Sequence, residues 1–129
     1  MKIRVGFVSN SSSSSFVAFG IVTKSVDKIL SFFSKETITE AIEKFGEDDA
    51  FYALQDLYYN DNLWMAHGTD NGLKEDEYFL GIMLADHIEE GDTNKRYSFE
   101  EVIKKIGGLP LDKPIELDEC EFIMTKRSC

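Results

Sequence analysis

Cysteine is nearly absent from this sequence, which has only Cys120 and Cys129 among 129 residues. A pair so close to one end makes a poor structural staple, and neither sits in a Cys-x-x-Cys pair. The spacing therefore points to reduced thiols in a reducing compartment, with no disulfide framework, zinc knuckle or dithiol motif. Proline is as scarce: Pro110 and Pro114 both fall in "LPLDKP", which reads as a loop. No stretch approaches the roughly 18 apolar residues a membrane span needs. The opening "MKIRVGFVSN" is too short and polar in its apolar part for a secretory h-region. A cytoplasmic protein without membrane contact is expected. Basic residues are in deficit, 14 against 24 acids, for a formal charge of −10. A field of that sign repels phosphate backbones, so direct nucleic-acid binding is not expected.

What is present suffices for one folded domain over 1–129: hydrophobic residues are 43% and aromatics 12%, enough for one ordinary core. The charge is unevenly spread. Residues 1–35 carry five basic side chains against Asp27, a local +4. Residues 36–92 carry sixteen acids against Lys44 and Lys74, a local −14, and residues 93–129 balance. Acidity is thus a property of the middle of the chain. It would attract a basic surface; the plainer alternative is a solvated face that keeps the chain soluble.

Two β-prone runs open the chain, "KIRVGFV" and "FVAFGIVT". The first alternates, with Ile3, Val5 and Phe7 on one face, as in a strand with one wet side. The second alternates little and belongs inside a sheet, covered on both faces. Helical spacing follows. Val26, Ile29, Leu30 and Phe33 form one stripe behind a Ser25 cap. Ile38, Ala41, Ile42 and Phe45 form a second, with a Thr37–Glu40 capping box and Gly46 as a left-handed stop. A third helix runs from Asp49 to Tyr59, with Phe51, Leu54, Leu57 and Tyr58 on one side. "NLWMAHG" and "EYFLGIMLAD" read as strands joined by a "TDNG" turn. "YSFEEVIKKIGG" reads as a helix capped by Ser98 with Phe99, Val102, Ile103 and Ile106 buried, and "CEFIMTK" as a last strand before a frayed end. After the first strand the order is strand, helices, strand, strand, helix, strand. That is the split βαβ order of ferredoxin-like domains: an α+β fold with an antiparallel sheet, helices packed on one face, extra helices and an extra N-terminal strand.

Between the first two strands lies a polar run, Ser9, Asn10, Ser11, Ser12, Ser13, Ser14 and Ser15. A flexible connection, an anion- or partner-binding loop and a modification or recognition tag are three physical readings of it. It lacks the Gly-Lys-Ser/Thr signature of a P-loop. As a string, "GFVSNSSSSSF", Gly6 to Phe16, resembles an N-terminal motif of small proteins from tailed bacteriophages and related bacterial elements. The resemblance covers about eleven residues. It implies a phage or prophage origin and brings no catalytic residue with it.

Few residues suggest chemistry. His87 stands in "ADHIEE" with Asp86 and Glu90, a set of oxygen and nitrogen ligands for a metal, or simply a solvated strand end. His67 lies near Asp70, an acid–base pair or a strand-end histidine held by a turn. The acids of "GEDDA" and "KEDE" lack calcium-loop spacing, and no serine or cysteine lies in a nucleophile elbow. Cys120, between Glu119 and Glu121, has its thiolate disfavoured by like charge. The expectation is a non-catalytic protein without cofactor. The region "FYALQDLYYNDNLWM" concentrates aromatics, and a helix burying Phe51 and Leu54 turns Tyr52 and Tyr59 outward among acids. Tyr52, Asp56, Tyr59, Asp61, Glu75, Asp76 and Glu77 are thus the candidate surface for a protein partner with a basic face, nucleic-acid mimicry being one version. A small metal-dependent enzyme using His67, His87 and nearby acids, and a minor virion component, are the alternatives.

Overall fold

The structure, a computed structural model, describes residues 2–8, 16–59, 61–68, 73–86 and 99–127. Five strands make one sheet: β1 (Lys2–Val8), β2 (Phe16–Thr23), β3 (Trp64–His67), β4 (Tyr78–Asp86) and β5 (Glu121–Arg127). Their order is β1-β5-β2-β4-β3. Four of them, β5, β2, β4 and β3, pair antiparallel in turn, and β1 joins the outside of β5 in parallel. The helices are α1 (Val26–Leu30), α2 (Lys35–Phe45), α3 (Ala50–Leu57) and α4 (Phe99–Gly107). The class is α+β, as the alternation of periodicities predicts. β2 and β3 run the same way with β4 between them, so α1 to α3 form the crossover of a split βαβ unit.

The little-alternating run is the central strand. On β2, Phe19 and Ile21 enter the core beneath the helices, while Ala18 belongs to a second cluster with Ala66, Leu73, Phe79 and Ile123. All four helices contribute to the first cluster and none to the second, which is built from strand residues and Leu73. At the middle of β2 and β4, Gly20 lies opposite Gly81. A Cβ on Gly20 would stand 2.3 Å from the Leu80 carbonyl oxygen, and one on Gly81 would stand 2.2 Å from that of Phe19. Only hydrogen fits there. The Phe79 ring reaches over Gly81, and Trp64 packs on Phe79 with ring centroids 5.0 Å apart.

β1 and β2 follow one another in sequence, yet β5 lies between them. The segment 9–15 therefore joins strands two positions apart, roughly 10 Å at ordinary strand spacing. The serine motif itself, Ser9 to Ser15, lies outside the described residues.

Helix boundaries follow local chemistry. Ser25 caps α1 through the Lys28 N–H, and Asp49 caps α3 through Phe51 and Tyr52. Gly46 ends α2 at φ +61°, the left-handed stop its type suggests. The Thr37–Glu40 capping box is corrected: α2 begins earlier, with Ser34 as the cap accepting from Thr37 N–H. A distant residue explains the shift. Asp112 accepts from the Ser34 N–H at 2.8 Å and the Thr37 hydroxyl at 3.2 Å, while its own N–H donates to Phe32 C=O. On α4, Val102 and Ile106 are buried as expected, but Ile103 is exposed. Ser98 and the "TDNG" turn lie outside the described residues.

Candidate functional site

The capping of α3 by Asp49 sets which side chains face outward. Phe51, Ala53 and Leu54 are buried, so Tyr52, Asp56 and Tyr59, spaced four and three apart, line up on the open side. Tyr59, just past the helix, is 80% exposed and Tyr52 41%. Asp56 and Asp61 are exposed as well. Of the seven expected surface residues, α3 and its exit gather four, Tyr52, Asp56, Tyr59 and Asp61; the other three lie before β4. Glu75 and Asp76 are exposed before β4, and Asp76 is partnered by Lys24 at 3.5 Å. An open pair of this kind is worth about 0–1 kcal/mol and screens part of the charge. Glu77 does not belong to the surface. It is 5% exposed, and its carboxylate turns back to accept the Lys74 N–H at 2.7 Å, tying the turn that starts β4.

Acids that the candidate surface omitted extend it. Glu36, Glu40 and Glu43 recur at four and three residues along α2, which puts them on one side of the helix axis, and Glu47 follows past the left-handed stop at Gly46. Among the described residues, none of the four makes an ion pair within 4 Å. Tyr58 shows how segments converge. Its ring stacks on Phe33 at 5.7 Å, and burial first, then the carboxylates of Asp112, Asp61 and Glu40, pushes its phenol above the ordinary range. Those acids come from a late loop, the α3–β3 link and α2. Helical spacing in the sequence was enough to find the α2 row; the arrival of Asp112 was not readable locally.

Two shallow hollows lie beside this surface. One of about 330 Å³ runs between α3 and β3, lined by Gln55, Asp56, Tyr59, Leu63, Trp64 and Met65. The other, about 220 Å³, continues past Asp61 and Asn62 toward Met83 and Lys105. Gln55, Trp64 and Met65 are functional candidates the sequence reading missed, since nothing local marks a glutamine on a short helix as facing a strand.

His67 closes β3 within an aromatic group. Its ring stacks on Tyr78 at 4.1 Å and 6°, Phe51 meets it edge-on, and its Nδ1 is 3.1 Å from the Tyr52 hydroxyl. Asp70, its suggested acid partner, lies outside the described residues, as do His87 and Glu90 of the suggested metal set; Asp86 ends β4. Among the described residues no three His, Cys, Asp or Glu side chains are grouped to hold a metal ion. Cys120 is buried, its Sγ 3.5 Å from the Glu116 C=O; burial first, then Glu119, raises its thiol to about 11. No helix of the described residues is long and apolar enough to cross a membrane. The chain matches no protein-family model, no curated protein and no solved structure.

Proposed function

We propose that this is a small non-catalytic acidic protein of the tailed-phage type that docks its α2–α3 side onto a protein with a basic surface. The observation that carries the reading is the row Glu36, Glu40, Glu43 and Glu47, which makes no ion pair within 4 Å among the described residues and continues toward Asp61 and Asp112. Glu36 and Glu40, like charges at i, i+4 spacing, cost a few tenths of a kcal/mol together. Of the basic residues toward the two ends, Lys35 opens α2 itself and Lys24 pairs with Asp76. Lys2 and Arg4 sit in β1, and Lys126 and Arg127 in β5, at the sheet side opposite β3. Tyr52 and Tyr59 add amphipathic rings of the kind that anchor protein interfaces.

Nucleic-acid mimicry is one version of this function. Carboxylates at α2 spacing recur about every 4.5–6 Å along the axis, against about 3.4 Å per phosphate along one DNA strand. Capture from host or infected cells, with wild-type and E36K/E40K/E43K protein as baits, tests the reading. A partner is expected to be retained by wild-type protein, released as salt rises, and lost to the triple variant. Retention that is equal for both baits would sink it. Retention that salt does not weaken would discard mimicry and leave apolar docking through the tyrosines.

A further inference from the structure

The strip between α3 and β3 unites a strand edge, a groove and a sign of charge. Among the described residues β3 has a neighbouring strand on one side only, β4. Which of its residues turn their main chain outward follows from pairing parity. Gly68 N–H donates to Glu77 C=O at 3.2 Å, so this is a hydrogen-bonded pair. In antiparallel alternation Ala66 with Phe79, and Trp64 with Gly81, are hydrogen-bonded pairs too. Met65, between them, therefore directs its N–H and C=O away from β4. A separate contact agrees: the Gln55 side-chain Nε2 donates to Met65 C=O at 2.8 Å. A primary amide thus stands where the N–H of an added strand would stand.

We propose that this groove receives an extended, lysine- or arginine-bearing segment of the partner, added beside β3 at Met65 as a sixth strand. The inference rests on the basic-partner reading above and specifies the form in which that partner binds. In an extended segment successive side chains alternate between two faces. Cationic ones reach Asp56 and Asp61, which are exposed and make no ion pair among the described residues. The apolar ones between them turn to the opposite face, toward Trp64, and the segment's N–H displaces the Gln55 amide from Met65. Lys105 beyond Asp61 limits the cationic stretch at that end. An acidic peptide or a nucleic-acid strand meets repulsion here. So does a second copy, whose formal charge is −10, although its β1 edge carries Lys2 and Arg4.

Trp64 is the only tryptophan and lines the groove, so its emission reports on this edge of the sheet. The probes are octapeptides alternating lysine with valine or leucine, the same peptides with glutamate for lysine, and lysine peptides N-methylated at every second amide. The lysine peptides are expected to shift Trp64 emission saturably. The glutamate peptides are expected to leave it unchanged, and N-methylation on the edge-facing side to weaken binding at least tenfold. D56K/D61K should weaken the lysine peptides at least tenfold, and Q55A should tighten them severalfold by freeing Met65. Silence of Trp64 toward every lysine peptide at millimolar concentration overturns strand addition, as does equal binding of both N-methylated registers and the parent. Self-association that shifts Trp64 and is abolished by K2E/R4E would assign the edge to a second copy, also overturning it. If the α2 charge-reversal bait loses its partner while Trp64 stays silent, the strand-addition inference falls and the basic-partner reading stands.

Discussion

Gly20 and Gly81 are the residues at which this fold tolerates least. Each presents its Cα to the opposite backbone at a distance where a methyl group would overlap main-chain atoms, and main chain in the centre of a sheet has little room to yield. Gly81→Ala should lower stability by about 3 kcal/mol or more, at the upper end of overpacking costs. A chemical denaturation midpoint close to wild type would show that the two strands can part there. Cys120 offers a second test at this scale. Its thiol is raised from an ordinary 9.0 to about 11, so the unfolded chain releases that proton first as pH rises. Stability from the buried neutral thiol is complete below about 9 and is lost as pH climbs through about 11. Denaturation of wild type and Cys120→Ala at pH 8 and pH 10.5 should therefore give a stability gap that narrows at the higher pH. A constant gap would mean that the thiolate is accommodated without cost.

Among the elements, α2 depends most visibly on something far away in sequence. Its first turn is closed by Ser34 from within and by Asp112 from outside, which takes the Ser34 N–H and the Thr37 hydroxyl. Losing a capping carboxylate typically costs about 1 kcal/mol, with up to about 2 at strong caps. Asp112→Ala is expected in that range, with the loss read by thermal or denaturant unfolding; Asp112→Asn, which keeps an acceptor, should recover part of it. No change in Asp112→Ala would mean that Ser34 alone secures the turn. The same dependence explains why a Thr37–Glu40 start was a reasonable local expectation. Thr37 and Glu40 have capping-box chemistry, and only the loop carrying Asp112 selects Ser34 instead. β3 shows a comparable gap. Its alternation is readable from "NLWMAHG", but that it is short, ends the sheet and is met by Gln55 follows from how α3 packs beside it.

For the molecule as a whole, the arrangement of charge is the distinguishing property. The acidic segment forms α2, α3 and the β3 side, while Lys2, Arg4, Lys126 and Arg127 lie in the two strands at the other side of the sheet. Among the described residues Lys24 pairs with Asp76 and Lys28 with Glu119. The proposed acidic face implies repulsion along α2 that dissolved ions screen. Raising NaCl from about 10 to about 150 mM, which shortens the screening length from about 30 to about 8 Å, should raise the melting temperature. The effect should shrink in E36K/E40K/E43K. A wild-type melting temperature that falls or stays constant with salt would contradict an unrelieved acidic face.

Local periodicity and capping chemistry were enough to establish the α+β class, most helix and strand positions, the central place of β2 and the outward turn of Tyr52 and Tyr59. These depend on neighbours within a few residues, where the 3.6- and 2-residue repeats impose themselves directly. Tertiary structure alone decided that β5 passes between β1 and β2, that Glu77 turns inward, that Asp112 starts α2 and that Gln55 covers the Met65 carbonyl. The strand order, Asp112 and Gln55 join groups that chain topology brings together and that no short window contains; Glu77 bonds Lys74 only three residues away, and what no local window showed is that its carboxylate is buried.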